Sequence, residues 1–104
     1  MTVNRITLFK IPEEAARAKL VEIYKTLQQR ALKDGKPYIL GAKVGSAFPD
    51  QRSQGYTFAV QTTFASADDM AYYDSACSAH ADLKSYAKTV SQGNMVVYFE
   101  NALE

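Results

Sequence analysis

At 104 residues the chain falls in the size range of one domain and leaves no room for two. Its composition, 47% hydrophobic and 22% charged, is that of a globular protein with one modest core and excludes a disordered chain. A net charge of +1 excludes the basic stripe that neutralises nucleic-acid phosphates. The Lys and Arg residues are instead interleaved with acids, as in Glu13, Arg17, Lys19, Glu22 and Lys25, which is the pattern of a solvated helix face.

No apolar run approaches the roughly 18–20 residues needed to span a bilayer. Met1 to Lys10 lacks the continuous apolar segment and small-residue cleavage site of a signal peptide. The single cysteine, Cys77, has no internal disulfide partner, and no Cys/His cluster of metal-binding spacing occurs. These features lead us to expect a cytoplasmic protein with no nucleic-acid or membrane partner and no metal or cofactor.

Val3 to Lys10 alternates as a strand, with Ile6 and Leu8 on one face and Val3, Thr7 and Phe9 on the other. Pro12 ends it, and Glu13 and Glu14 place negative charge where a helix starts. From about Glu14 to Lys33 the period becomes helical, with Leu20, Ile23, Tyr24, Leu27 and Ala31 as the buried face. Asp34-Gly35 and Pro37 supply a stop. Tyr38 to Gly45 reads as a second strand, Ser46 to Gly55 as a polar loop, and Tyr56 to Phe64 as the clearest strand of the chain. In the latter Tyr56, Phe58, Val60, Thr62 and Phe64 share one face. Ser66 with Asp69 is a capping signal, predicting a short helix over Ala67 to Asp74. Ser75 to Ser78 interrupts it. A further helix follows from Ala79 to about Val90, with Leu83, Tyr86, Ala87 and Val90 inward. Gln92-Gly93-Asn94 turns the chain into a last strand, Met95 to Glu100.

The order β-α-β-β-α-β is that of the ferredoxin-like α+β fold. Such a sheet carries helices on one face only, yet these strands are apolar on both: Ile6 and Leu8 oppose Val3 and Phe9, and Met95, Val97 and Phe99 oppose Val96 and Tyr98. Left bare, that second face would exceed the apolar patch a monomer normally shows. A second copy of the chain is the simplest cover, so a homodimer is expected.

Three features stand in sequence order along nearly the whole chain. These are the opening Ile6-Thr7-Leu8-Phe9-Lys10, the segment Gln54-Gly55-Tyr56-Thr57 leading into a strand that ends Thr63-Phe64, and the Ala79-His80 step before a helix. With the terminal Val96-Val97-Tyr98-Phe99-Glu100, the series resembles the stress-responsive dimeric α/β-barrel (Dabb) family. The resemblance implies a ferredoxin-like subunit whose sheet pairs with its twin to form a dimeric α/β barrel. Many members have no assigned activity. Plant members that are enzymes, a polyketide cyclase and a hydroxynitrile lyase, use a histidine and tyrosines in a pocket between helices and sheet.

His80 is the only histidine, three residues before Leu83 and seven before Ala87, a spacing that turns it toward the buried stripe. An imidazole in a pocket titrates close enough to neutrality to act as general base or acid; equally, it can brace the start of a helix. The resemblance aligns His80 with the family's histidine and Tyr24 with a pocket-lining aromatic. Tyr73 falls one residue out of step with the catalytic tyrosine when the alignment is fixed on His80. A phenol there would stabilise a developing enolate or alkoxide, whereas a tyrosine on an apolar stripe otherwise belongs to the core. Arg5, Phe58, Tyr72 and Leu27 are the expected remainder of the pocket. Arg5 and Phe58 stand where the cyclase carries histidines, so the cyclase's own reaction does not carry over. Cys77 lies close before His80, but no third group to orient a Cys–His pair is apparent.

The expectation is thus a homodimer binding a small apolar or aromatic molecule, with two main readings. In one it is a cofactor-independent cyclase or lyase with His80 as general base, assisted by Tyr24 and Tyr73. In the other it is a non-catalytic stress-response or ligand-binding protein. A cofactor-free monooxygenase has no specific residue in its favour.

Overall fold

The structure, a computed structural model, describes residues 1–104. Strand β1 (Val3–Phe9) leads to helix α1 (Glu14–Lys25), a single turn α2 (Leu27–Arg30), and a short hairpin of β2 (Leu32–Lys33) and β3 (Lys36–Pro37). Strands β4 (Ile39–Ser46) and β5 (Phe58–Phe64), helices α3 (Ala67–Ser75) and α4 (Ser78–Val90), and strand β6 (Asn94–Glu100) complete the chain. The main sheet runs β4-β5-β1-β6 and is antiparallel throughout. This is the ferredoxin-like α+β fold.

The alternation along β5 does what its pattern requires. Phe58, Val60, Thr62 and Phe64 are buried beneath the helices, while Ala59, Gln61 and Thr63 turn to the other face. The helices bury Ala16, Leu20 and Tyr24 from α1, Met70 and Tyr73 from α3, and Ala79, His80, Leu83 and Ala87 from α4. Ser66 caps α3 by accepting a hydrogen bond from the Asp69 amide at 3.2 Å.

One helix expected over residues 14–33 is shorter than its period suggests. It breaks at Thr26, whose backbone (φ −107°, ψ 0°) leaves the helical region, and resumes for one turn. The apolar stripe runs through the break because Leu27 and Ala31 remain buried on the same side, so periodicity alone does not register it. Asp34 and Gly35, expected to end a helix, both adopt positive φ (53° and 75°) and turn the β2–β3 hairpin. Two successive left-handed residues are the requirement of a tight type I′ turn, which Asp-Gly meets. A register shift between Ile39 and Gly41 bulges β4 and leaves Leu40 on the surface.

Strand β6 lies at the sheet edge, and no helix covers it. Met95, Val97 and Phe99 are 46%, 50% and 48% exposed on the face away from the helices, where the register places Val97 beside Ile6 and Met95 beside Leu8. On the helix side Val96 and Tyr98 are exposed as well. The gap between this edge and α4 forms the main cleft of the molecule. No helix is long and apolar enough to cross a membrane.

Candidate functional site

The cleft has a volume of about 350 Å3. Its floor comes from β1 through Arg5, Thr7 and Phe9, and Tyr24 of α1 reaches it from behind. One wall is α4, presenting His80, Leu83, Lys84, Ala87 and Lys88; the other is the turn from Ser91 to Asn94 with Val96 of β6. That turn is clamped to the end of β1: the Lys10 amide donates to the Gly93 carbonyl and the Gln92 amide to the Lys10 carbonyl, both at 2.8 Å.

His80 is only 2% exposed, and its ring lies flat on Tyr73, with centroids 3.6 Å apart and planes 12° from parallel. Its Nδ1 is 2.8 Å from the Tyr73 carbonyl oxygen. A carbonyl can only accept, so Nδ1 must carry the proton in that bond and the Nε2 lone pair is the ring's basic atom. The acceptor is one of the last-turn carbonyls of α3, which have no partner within their own helix. The chain therefore uses one nitrogen of His80 to fasten the end of α3 and leaves the other without a hydrogen-bond partner. Burial holds the imidazole pKa down to about 4, although the bond to the Tyr73 carbonyl opposes the shift. The Arg5 and Lys84 charges lower it further and Asp74 raises it, so the ring is neutral at pH 7.

Arg5 is buried at the cleft floor. Its Nη1 donates to Thr7 Oγ1 at 2.7 Å and its Nη2 to Asp74 Oδ1 at 3.0 Å, while Nε has no partner. The same Asp74 oxygen lies 3.8 Å from His80 Nδ1, and the guanidinium carbon sits 5.3 Å from the Tyr73 ring centre. Burial pushes the Tyr24 phenol well above its ordinary range, only partly offset by the Arg5 charge, so it stays protonated and able to donate. Burial likewise raises the Tyr73 phenol, whose hydroxyl is enclosed without a hydrogen-bond partner.

Of the residues singled out from sequence, Arg5, Tyr24 and His80 come together on the cleft. Tyr73 does not line it but backs it, through the stack on His80. Phe58 and Leu27 are wholly enclosed in the core, and Phe58 packs on Phe9 and Tyr24. Tyr72 sits away from the cleft, donating from its hydroxyl to the Leu32 carbonyl at 2.9 Å and meeting the edge of Tyr38. Cys77 is buried in the core. Sequence reasoning missed Thr7, Asp74, Lys84 and Lys88. The two lysines follow His80 at four and eight residues, the spacing of one helix face, but helix charges at that spacing read equally as a solvated face. No group of three or more His, Cys, Asp or Glu side chains is arranged to hold a metal.

A curated relative, a fusaristatin A biosynthesis cluster protein of Gibberella zeae, is 35% identical over 99 residues, covering 94% of this chain and 72% of its own. Among solved structures, the hydroxynitrile lyase of Passiflora edulis superposes with a TM-score of 0.79 at 18% identity, covering 97% of this chain and 94% of that one. A dimeric ferredoxin-like protein of unknown function from Jannaschia sp. gives 0.77 at 16% identity, covering 97% and 100%. At such identities the structures speak for the fold alone. The stress responsive A/B barrel domain profile, Dabb, matches residues 3–101. Along almost its whole length, this chain belongs to the Dabb family.

Proposed function

We propose that the protein is a cofactor-independent enzyme, a cyclase or lyase acting on a small aromatic or polyketide-like molecule, with His80 as general base. The observation that carries this reading is the His80 ring itself. It is neutral, held by a carbonyl and a stacked phenol, and keeps its unprotonated nitrogen free on a cleft of ligand size. Tyr24, a protonated phenol on the same cleft, is suited to donate to a substrate oxygen as charge develops on it. Tyr73 supports the base from behind. The relative in a biosynthesis cluster favours work on a small molecule. In the same reading a second copy of the chain covers the bare face of Ile6, Leu8, Met95, Val97 and Phe99; a structural neighbour is described as dimeric.

The fastening of α3 by Nδ1 favours a second reading, in which His80 is purely structural. His80→Asn separates the two. An Asn amide nitrogen takes the place of Nδ1 and keeps a donor for the Tyr73 carbonyl, but nothing replaces the Nε2 lone pair. With a general base at position 80, turnover of a responsive compound from a phenolic and polyketide-like panel falls by roughly 10²–10⁴-fold while the thermal midpoint barely moves. Full activity in the Asn variant together with a large loss in His80→Ala would assign the ring to structure alone.

A further inference from the structure

The charges around the cleft are one-sided. Three cations line it, Arg5 from β1 and Lys84 and Lys88 from α4, and no carboxylate does. The one acid in reach, Asp74 at the end of α3, is committed to Arg5 through its Oδ1. The cleft is thus left with two uncompensated positive charges, in a chain whose overall charge is only +1. Lys84, at an exposed helix position, donates to the Asp74 backbone carbonyl at 3.2 Å, which draws its ammonium toward the Arg5–Asp74 pair.

Arg5 adds an independent observation. It is 7% exposed and lines the cleft, and its Nε is buried with no acceptor. The two terminal nitrogens bond to Thr7 and Asp74 while Nε has no acceptor, so the guanidinium at the cleft floor is incompletely satisfied within the protein. Phe9, Tyr24, Leu83 and Val96 supply apolar walls beside these donors.

We infer that the ligand of this cleft is a small organic anion, with an apolar body against Phe9 and Leu83 and an anionic head held by Lys84, Lys88 and Arg5. This rests on the cleft being the ligand site proposed above, and it narrows the substrate class to acids. The anion also bears on His80. Negative charge beside Arg5 and Lys84 offsets the part of the lowering of the His80 pKa that these cations add to the larger effect of burial.

The test uses the intact protein and three probes of similar shape: 4-ethylbenzoate, 4-ethylbenzamide and 4-ethylphenyl phosphate. Because His80 is the only histidine, its ring signals can be followed by NMR without assignment ambiguity. The acid probes are expected to perturb the His80 signals and raise its titration midpoint, and to bind at least about tenfold more tightly than the amide at low salt. Lys88→Gln, on an exposed helix position, should cut that preference by about three- to tenfold. Whichever acid binds more tightly names the head as carboxylate or phosphate. Equal binding of amide and acid at His80 would overturn the anion preference and leave the cleft as a ligand site. No response of His80 to any probe, with ring signals intact, would count against both.

Discussion

Strands β5 and β6 are each seven residues long, and β6 is the more apolar of the two, yet their fates are opposite. Along β5 every second side chain is buried; along β6 none is. The difference lies in position, not composition. β5 lies between β4 and β1 beneath the helices, whereas β6 is an edge strand with open space on the helix side and no layer at all on the other. An exposed apolar edge is a liability that proteins normally blunt. Here its two faces are put to two uses: one is a wall of the cleft, and the other is the surface we assign to a second copy of the chain. The packed core is therefore concentrated under β5, and the open cleft and the bare apolar face lie along β6.

The largest expected effect tests the stable half of that contrast. Phe58→Ala empties a fully enclosed position between Phe9 and Tyr24 and should cost about 3–5 kcal/mol in denaturant unfolding. Val96→Ala on the half-open strand should cost far less; comparable losses would abolish the distinction. Next comes pH. The folded His80 pKa of about 4 lies below the ordinary 6.5, so as pH falls the unfolded chain takes up the proton first. The stability this group contributes is complete above pH 6.5, declines between 6.5 and 4, and changes no further below. The span should be worth up to about 3 kcal/mol in unfolding experiments and should vanish in His80→Asn. The smallest effect on the subunit's fold is expected from Val97→Lys, on the bare face. Sedimentation should then give the 11.5 kDa of one chain with helical circular dichroism retained. A variant that stays paired would place the interface elsewhere.

Much of this architecture is legible in the chain because single residues act locally. The alternation from Phe58 to Phe64 and the Ser66 cap each have one physical outcome, and both take it. The break at Thr26 is hidden because a one-turn helix keeps Leu27 and Ala31 facing the same core as an unbroken helix would. Asp34-Gly35 suits a helix stop and a hairpin equally well; only the pairing of Leu32 with Pro37 decides between them. At the site, His80 stands out through its uniqueness and its spacing to Leu83. Lys84 and Lys88 do not, since a helix with scattered charges reads as a solvated face whichever way it turns. Nor does an apolar stripe distinguish a residue that lines a cleft, such as Tyr24, from one sealed beneath it, such as Leu27. That distinction depends on where α4 stops covering the sheet, which no local pattern encodes.

The bond from His80 to the open carbonyl of α3 has a consequence for timing. A free imidazole interconverts between two tautomers and rotates about two bonds, and a ligand must wait for the competent arrangement or select it. Here the end of a neighbouring helix fixes both as the chain folds. The rotational freedom of that side chain is lost on folding and not on encounter. An incoming molecule meets an acceptor nitrogen already in place, with no side-chain rearrangement left to wait for.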